Sequence, residues 1–178
     1  DTAQVIINVN DVNHDPIAVT DHKTVNEDEC VHIDVQANDS DSDGDALITT
    51  VVSAPKHGVH NILSNDSLNY CPNTNYNGKD TIIYQVCDGL GGCDIDTVFI
   101  TVTPVNDKPV AVNDTKTTLK NTCTDILVQS NDSDVDGDVL TTALVTNASH
   151  GTNSVVSNQI NYCPSTNYIG KDTLYYSL

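Results

Sequence analysis

Two short segments concentrate carboxylates that could bind a metal ion. Residues 39–45 read Asp-Ser-Asp-Ser-Asp-Gly-Asp, and residues 132–138 read Asp-Ser-Asp-Val-Asp-Gly-Asp. Carboxylates on alternate residues, with a glycine that permits a sharp turn, are the hard oxygen ligands that suit Ca²⁺, whereas Mg²⁺ prefers fewer carboxylates and more water. The expected calcium ligands are Asp39, Asp41, Asp43 and Asp45 in the first segment and Asp132, Asp134, Asp136 and Asp138 in the second.

The spacing imitates the first half of an EF-hand loop, but the rest of each segment departs from it. The twelfth position, where an EF-hand has a bidentate Glu, is Thr50 in the first segment and Ala143 in the second. No helical periodicity flanks either segment, so an EF-hand is rejected. The alternative to a calcium site is a solvated acidic turn between strands, and the recurrence of the whole segment favours calcium.

The acidic segments belong to a longer internal repeat. Residues 16–21, Pro-Ile-Ala-Val-Thr-Asp, recur as residues 109–114, Pro-Val-Ala-Val-Asn-Asp. Val-Ile-Ile-Asn-Val at residues 5–9 also resembles Val-Phe-Ile-Thr-Val at residues 98–102, near the end of the complete repeat. The expected parts are the last strand of a preceding repeat plus a linker at 1–13, a complete repeat at 14–106, and a second repeat at 107–178 that is truncated before its last strand.

The truncated second repeat has two explanations. We expect the protein to continue in both directions beyond the 178 residues. The alternative is that each chain lends its first strand to the open second repeat of the next chain, which would be a head-to-tail contact of the kind that makes fibres.

Each repeat shows short stretches of alternating apolar and polar residues separated by Asn, Asp and Gly turns, which is typical of β-strands. In the complete repeat, strands are expected near 17–25, 30–36, 46–54, 58–63, 67–71, 80–88 and 93–103. No stretch is convincingly helical. About seven strands in about 93 residues predict an all-β fold of tandem Greek-key sandwiches of the Ig type.

The six cysteines are expected to form structural disulfide bonds. The repeat aligns one pair of cysteines with another, so each repeat should close its own bond, and the remaining two flank a Gly-rich loop at residues 88–92. The expected pairs are Cys30–Cys71, Cys123–Cys163 and Cys87–Cys93. No cation or helix N-terminus that would activate a thiolate is visible. Disulfide bonds imply an oxidising compartment.

Composition excludes several classes of function. Seven Lys and Arg against 25 Asp and Glu give a net charge of −18, which repels nucleic acid and anionic membranes. No apolar run approaches the roughly 20 residues of a membrane helix, and no nucleophile–base pair or phosphate loop is present, so we expect no catalysis. The repeated His-Gly pair at His57 and His150 indicates a turn before a strand, and with His60 gives no convincing transition-metal site.

Four motifs together resemble the bacterial Ig-like and cadherin-like tandem repeats of about 95 residues that build large surface adhesins. They are Val-Asn-Asp-Lys-Pro at 105–109, the acidic segment with its flanks at 37–47, Tyr-Cys-Pro-Asn-Thr-Asn-Tyr-Asn-Gly-Lys-Asp at 70–80, and Tyr-Gln-Val-Cys-Asp-Gly-Leu-Gly-Gly at 84–92. The last motif, with its cysteines, is similar to repeats of Bacteroidota-type surface proteins. The resemblance covers essentially the whole chain and implies a secreted or cell-surface location.

The resemblance to cadherins implies calcium between successive repeats, bound by an early Glu, the linker and the acidic loop of the next repeat. The implied ligands at one junction are Asn106, Asp107, Asp132 and Asp134, helped by Glu27 and Asp88, and those at the preceding junction are Asn13, Asp15, Asp39 and Asp41. The sequence departs from cadherins because the counterpart of Glu27 is Lys120. A calcium ion held locally by the acidic loop is the competing geometry.

Three triplets resemble the O-glycosylation motif of Bacteroidota, namely Asp80-Thr81-Ile82, Asp96-Thr97-Val98 and Asp172-Thr173-Leu174. The candidate sites are Thr81, Thr97 and Thr173. Each threonine also lies at the start of an expected strand, where Thr is favoured in any case. Modification and a purely structural preference therefore remain alternatives.

Two functions follow from the pattern. The first is a calcium-stiffened stalk of an adhesin, in which the repeats contact neighbouring repeats and a distant domain binds an unidentified target. The second is a self-assembling extracellular filament whose copies contact one another as a homopolymer. A carbohydrate-binding module is a distant third, because the chain has no Trp and one Phe for stacking on sugars.

Overall fold

A computed structural model describes residues 1–10 and 12–178 and forms two units, Asp1–Val105 and Asn106–Leu178. The all-β prediction is confirmed. The strands are β1 (Asp21–Asn26), β2 (Val31–Ile33), β3 (Ile48–Ser53), β4 (Gly58–Ile62), β5 (Leu68–Pro72), β6 (Gly78–Cys87), β7 (Cys93–Thr103), β8 (Thr124–Ile126), β9 (Ala143–Thr146), β10 (Gly151–Val156), β11 (Gln159–Pro164) and β12 (Tyr175–Ser177). Within the described residues, no helix is long and apolar enough to cross a membrane.

The first unit pairs its strands in two sheets. One sheet has the order β1-β7-β6-β3, in which β1 and β7 are parallel and the other neighbours are antiparallel. The other sheet has the order β2-β5-β4 and is antiparallel. Because neighbours in these sheets are not always consecutive in sequence, the chain crosses between sheets as Greek-key sandwiches do.

Strict alternation along the two longest strands builds the core of the first unit. On β6, Ile82, Tyr84 and Val86 are fully buried, and the residues between them face outward. On β7, Val98 and Ile100 are likewise fully buried. The opposite sheet supplies further buried side chains, which are Ile33, Leu68 and Tyr70. Each such side chain removed from water stabilises the fold by about 1.5–3 kcal/mol.

All seven strands expected in the complete repeat are present, and in two of them a boundary differs from the expected one by three or more residues. The strand expected at 30–36 ends at Ile33, because a short 3₁₀ helix, Val35–Ala37, follows it and turns Val35 into the core. The strand expected at 17–25 begins at Asp21, and Ile17 before it forms an isolated bridge with Ser40. A second 3₁₀ helix, Val128–Ser130, occupies the corresponding place in the second unit.

The N-terminal segment is not part of a sheet in this structure. Residues 1–10 form no strand, and their apolar side chains are exposed, with Val5 at 82%, Ile7 at 79% and Val9 at 89%. Asp11 lies outside the described residues. That residues 1–13 are the last strand of a preceding repeat stays a prediction.

The second unit repeats the first with fewer strands. Its three-stranded sheet, β10-β11-β8, corresponds to β4-β5-β2, and its two-stranded sheet, β12-β9, corresponds to β6-β3. Residues 114–119, which align with β1, form no strand. Buried apolar side chains in this unit are Val128 and Ile160, far fewer than in the first unit.

The prediction of disulfide bonds is confirmed. The bonded pairs are Cys30–Cys71, Cys87–Cys93 and Cys123–Cys163. Cys30–Cys71 lies within the first unit, and Cys123–Cys163 lies at the equivalent place within the second unit. Cys87–Cys93 closes the turn between β6 and β7, where the two cysteines face each other in register. By the loop-entropy argument, each long-loop bond contributes roughly 4 kcal/mol and the short one roughly 2 kcal/mol.

A buried carboxylate on β6 fixes the turn before β4. Asp80 is 5% exposed and accepts hydrogen bonds from the Lys56 and His57 N–H groups at 2.9 and 2.8 Å and from the Tyr70 hydroxyl at 3.0 Å. Burial alone would raise the pKa of Asp80, but these donors lower it below its usual value. Asp172 makes the equivalent contacts in the second unit.

The repeated His-Gly pair has a structural role in this turn. His57 stacks on Tyr76 with ring centroids 4.3 Å apart, and His150 stacks on Tyr168 at 4.5 Å. A β-carbon at Gly58 would lie 2.6 Å from the Cys71 carbonyl oxygen and collide with a neighbouring ring, so only glycine fits at the start of β4.

A second polar network joins the chain before β1 to the acidic segment. The Tyr84 hydroxyl donates to Asp39 Oδ1 (3.1 Å) and to the Val19 carbonyl oxygen (3.0 Å), and the Val19 N–H donates back to Asp39 Oδ1 (2.7 Å). Asp21 lies beside this network. Burial, reinforced by the nearby Asp39 carboxylate, raises the pKa of Asp21 to about 6.

We expect Asp80→Asn to lower the free energy of unfolding of the first unit by about 1.5–3 kcal/mol, because the amide cannot accept all of the N–H and O–H groups that point at it. The matched variant Asp172→Asn should cost less, because Asp172 is less buried. Urea unfolding of both variants, with hydrogen exchange to assign each unit, measures the difference. Equal losses from the two variants would contradict this account of Asp80.

Asp21 should make the folded protein less stable as the pH rises from about 4 to above 6. Because its pKa in the folded state, about 6, exceeds the ordinary aspartate pKa of 3.8, the folded chain binds more protons than the unfolded chain in that window. Asp21→Asn should therefore flatten this part of the pH profile and stabilise the protein by about 1 kcal/mol at pH 7, after allowance for solvent screening. Denaturation between pH 4 and 8 in a chelator tests this. The same slope in both proteins would contradict it.

Candidate metal centre

Backbone hydrogen bonds to one carboxylate shape the acidic loop of the first unit. Asp41 Oδ1 accepts from the N–H groups of Asp43 (2.8 Å), Gly44 (3.1 Å) and Asp45 (3.4 Å). Gly44 has φ +80°, a conformation that favours glycine and lets the chain turn back so that these N–H groups point at Asp41. The loop thus has a defined conformation that the sequence alone does not require.

This loop brings three carboxylates together. One oxygen each from Asp41, Asp43 and Asp45 lies within 4.8 Å of the others. At that separation two unit charges repel by about 1 kcal/mol in water. The second oxygen of Asp41 is buried and has no hydrogen-bond partner. Oxygens about 4.8 Å apart can share one Ca²⁺ at bond lengths of 2.3–2.6 Å, so the donor set fits a calcium ion.

His14, the first residue of the complete repeat, forms hydrogen bonds with this loop. The His14 N–H donates to Asp43 Oδ2 at 2.6 Å, and His14 Nδ1 lies 3.1 Å from both carboxylate oxygens. The backbone N–H of His14, with its ring, lowers the pKa of Asp43 below its usual value. Asp43 is therefore held ionised, as a metal ligand must be.

Two further carboxylates converge beside the loop. Asp88, 6% exposed, accepts from Asn13 Nδ2 at 2.7 Å and from three N–H groups of its own turn. The Asn13 amide, followed by those N–H groups, lowers the pKa of Asp88. A β-carbon at Gly92 would overlap Asp88 Oδ2 and lie 2.7 Å from Asp15 Oδ1, so both carboxylates approach the same point. The charge of Asp88 also acts on Asp43, where it slightly opposes the lowering of the Asp43 pKa by His14.

The second unit reproduces the loop. Asp134 Oδ1 accepts from the N–H groups of Asp136 (2.9 Å) and Asp138 (3.3 Å), and one oxygen from each of the three residues again lies within 4.8 Å of the others. The Asp107 N–H donates to Asp136 Oδ2 at 2.6 Å, as His14 does to Asp43. In both repeats, therefore, a backbone N–H at the start of the repeat donates to the middle aspartate of the acidic loop.

The two candidate centres differ in charge. Lys108 is the sequence counterpart of Asp15, so the second repeat has a cation where the first has a carboxylate. Asn106, the counterpart of Asn13, donates to the Asp107 carbonyl oxygen at 2.7 Å. The first centre thus has the richer set of oxygen donors.

Asp39 and Asp132 lie outside both three-carboxylate clusters. Asp39 is held by Val19 and Tyr84, and Asp132 is held in the same way by the Val112 N–H (2.7 Å) and the Tyr176 hydroxyl (3.0 Å). Both residues connect the loop to the body of their unit. Their expected role as calcium ligands stays a prediction.

Glu27 and Asp88, which the cadherin resemblance groups together, lie at opposite ends of the first unit. Glu27 follows β1 and accepts from the Val105 N–H at 2.6 Å, where β7 ends. Asp88 precedes β7 and contacts Asn13. The 11 residues of β7 separate these ends, which corresponds to about 33 Å of extended strand. Asp88 therefore lies near the loop at residues 41–45 and not near Glu27. The sequence analysis missed this grouping. The only signal for it in the sequence is the pair of glycines at 91–92, which allows other side chains to approach the backbone closely.

The three candidate glycosylation triplets share a local hydrogen bond. In each, the threonine N–H donates to the preceding aspartate, at 2.9 Å for Thr81, 2.6 Å for Thr97 and 3.0 Å for Thr173. Thr81 and Thr173 are exposed. Glycosylation at these threonines stays a prediction.

Comparisons with known proteins identify the family. The bacterial Ig domain (Big_9) matches residues 13–101 and again residues 106–178. A search of the curated proteins found no match.

The solved structures that this chain matches include endo-fucoidan hydrolases of glycoside hydrolase family 107. MfFcnA4 is 18% identical with a TM-score of 0.41, over 90% of this chain and 26% of that chain. A variant of MfFcnA4 is 19% identical with a TM-score of 0.38, over 92% and 25%. MfFcnA9 is 14% identical with a TM-score of 0.41, over 93% and 32%. This chain therefore spans about a quarter to a third of the length of those proteins.

The two consecutive family matches coincide with the two copies of the internal repeat and together cover most of the 178 residues. This chain belongs to the bacterial Ig domain family.

Proposed function

We propose that this chain is a calcium-stiffened structural segment of a secreted or cell-surface stalk or adhesin, and that it is not catalytic. The observation that carries the proposal is the recurrence of the three-carboxylate loop in both repeats, at Asp41, Asp43 and Asp45 and at Asp134, Asp136 and Asp138. The three disulfide bonds support an oxidising, extracellular location.

The connection between each loop and the chain that enters its repeat supports a stiffening role. Asp43 and Asp136 each combine two functions, because each is a candidate ligand and also accepts the N–H of the entering residue, His14 or Asp107. A carboxylate oxygen that accepts one N–H keeps capacity for a cation. An ion that orders the loop would therefore also fix the direction in which the chain enters the repeat.

A self-assembling extracellular filament subunit is the second candidate. It is favoured by the exposed apolar side chains of residues 5–9, a segment that forms no strand in this structure. An exposed apolar segment of this kind is expected of chains that exchange strands.

Calcium should bind with a dissociation constant of roughly 10⁻⁴–10⁻³ M, as in other extracellular modules. Binding to the folded state should add about 1.4 kcal/mol of stability at ten times the dissociation constant, and a chelator should reverse it. Isothermal calorimetry and thermal melting, each with Mg²⁺ as the control ion, measure this. The calcium proposal fails if millimolar Ca²⁺ produces neither heat of binding nor a rise in melting temperature.

The first centre should bind calcium more tightly than the second, because Asp15 lies with Asp88 near the first loop, whereas the residue that corresponds to Asp15 in the second repeat is Lys108. Asp41→Asn with Asp43→Asn should remove the tighter binding event, and Asp134→Asn with Asp136→Asn the weaker one. Asp34→Asn, which neutralises an exposed carboxylate that belongs to neither three-carboxylate cluster, is the matched control. Equal affinities at the two centres would show that Asp15 and Asp88 do not contribute.

A further inference from the structure

The turn between β6 and β7 combines three glycines with a disulfide bond. Residues 88–92 form the turn, and Cys87 and Cys93 flank it as register partners in the sheet. Gly89 and Gly91 have φ values of +76° and +119°, which residues other than glycine rarely adopt. Because glycine has more backbone conformations to lose than any other residue, ordering this turn carries a large entropic cost. The disulfide offsets part of that cost, since it keeps both ends of the turn together.

Asp88 organises the turn that the disulfide closes. Its Oδ1 atom accepts hydrogen bonds from the N–H groups of Leu90 (2.7 Å), Gly91 (3.0 Å) and Gly92 (3.0 Å). The Asp88 N–H donates to the Gly92 carbonyl oxygen at 3.1 Å, which completes the turn at its base. The Oδ2 atom accepts from Asn13 Nδ2 at 2.7 Å, outside the turn. The place of the Asp88 carboxylate therefore depends on the conformation of the turn.

The chain that begins the repeat lies directly on this turn. Residues 13–15, the entry segment, pass so close to Gly92 that a β-carbon there would lie 2.9 Å from the Asp15 Cα atom. The entry segment also contacts the acidic loop, because the His14 N–H donates to Asp43 Oδ2 at 2.6 Å. The turn and the acidic loop therefore both hold the entry segment in place.

We infer that the Cys87–Cys93 disulfide is a positioning element for the first candidate centre. By closing the turn it fixes Asp88, and through Asp88 it holds the entry segment beside the acidic loop. When the disulfide is removed, the glycine-rich turn gains conformations in which Asp88 no longer receives the Asn13 amide. The effect on calcium affinity rests on the proposed function, whereas the order of the entry segment does not, because hydrogen bonds within the chain produce it.

Hydrogen exchange, measured by NMR in a chelator, tests the order of the entry segment. In a variant with Cys87→Ser and Cys93→Ser, the His14 amide should exchange roughly tenfold faster, because a segment with fewer fixed contacts opens more often. The Asp107 N–H makes the equivalent hydrogen bond in the second unit and should exchange at an unchanged rate, so it is the internal control. Unchanged exchange at His14 would overturn the inference.

Calorimetry with Ca²⁺ tests the effect on the centre. The variant without the disulfide should bind at the first centre about tenfold more weakly, as loss of supporting contacts typically does at metal sites, and should bind at the second centre as before. Asp88→Asn should produce a similar loss, and combining it with the disulfide variant should add little, because both changes act through the same carboxylate. Losses that add would show that the disulfide acts through general stability and not through Asp88.

A second variant decides the matter if the chain without this disulfide does not fold. Gly92→Ala keeps the disulfide but places a β-carbon where the Asp88 carboxylate and the Asp15 backbone lie, so it should speed His14 exchange and weaken the first centre in the same way. If the unchanged chain binds no Ca²⁺, the proposed function fails, and His14 exchange in the chelator alone decides the inference. Unchanged His14 exchange in a folded Gly92→Ala chain would overturn it.

Discussion

Hydrogen bonds from backbone N–H groups to aspartate side chains hold the loops of this protein in place. Seven Lys and Arg cannot neutralise 25 Asp and Glu, so most carboxylates have no cation to pair with. Asp80, Asp88 and Asp172 instead each accept two or more N–H groups from a neighbouring segment or turn. A carboxylate that accepts two or three such bonds stays ionised even when it is buried. The acidic composition is therefore compatible with a packed core, because the charges are placed where N–H groups converge.

The same interaction prepares the acidic loops for a metal ion. Asp41 uses one oxygen to gather the N–H groups of its own loop and leaves the other oxygen buried without a partner. The loop conformation is thus determined before any ion binds, which reduces the cost of ordering it at that moment. Since Asp43 is also bonded to the entering chain, the loop and the start of the repeat form one connected network. Calcium binding in this protein would strengthen an existing arrangement.

The fold could be predicted from sequence to a larger extent than the candidate centre. Alternation of apolar residues and the internal repeat locate the strands, because both depend on patterns within a few residues or on similarity between copies. The end of β2 at Ile33 and the burial of Val35 were missed, since the 3₁₀ helix depends on packing against the opposite sheet. The approach of Asp88 to Asn13 was missed for a similar reason, because 75 residues separate them and only tertiary structure brings them together.

Two copies of nearly the same segment show how far local sequence determines a strand here. Residues 21–26 and 114–119 share the aspartate, lysine and threonine at their first, third and fourth positions, yet only the first segment forms a strand. β1 is an edge strand whose ladder runs entirely along β7. Residues 114–119 pair with no such strand in this structure, and their intrinsic preference alone does not make them a strand. The strand conformation of residues 21–26 therefore depends on tertiary pairing with β7, because nearly the same local sequence does not form a strand without such a partner.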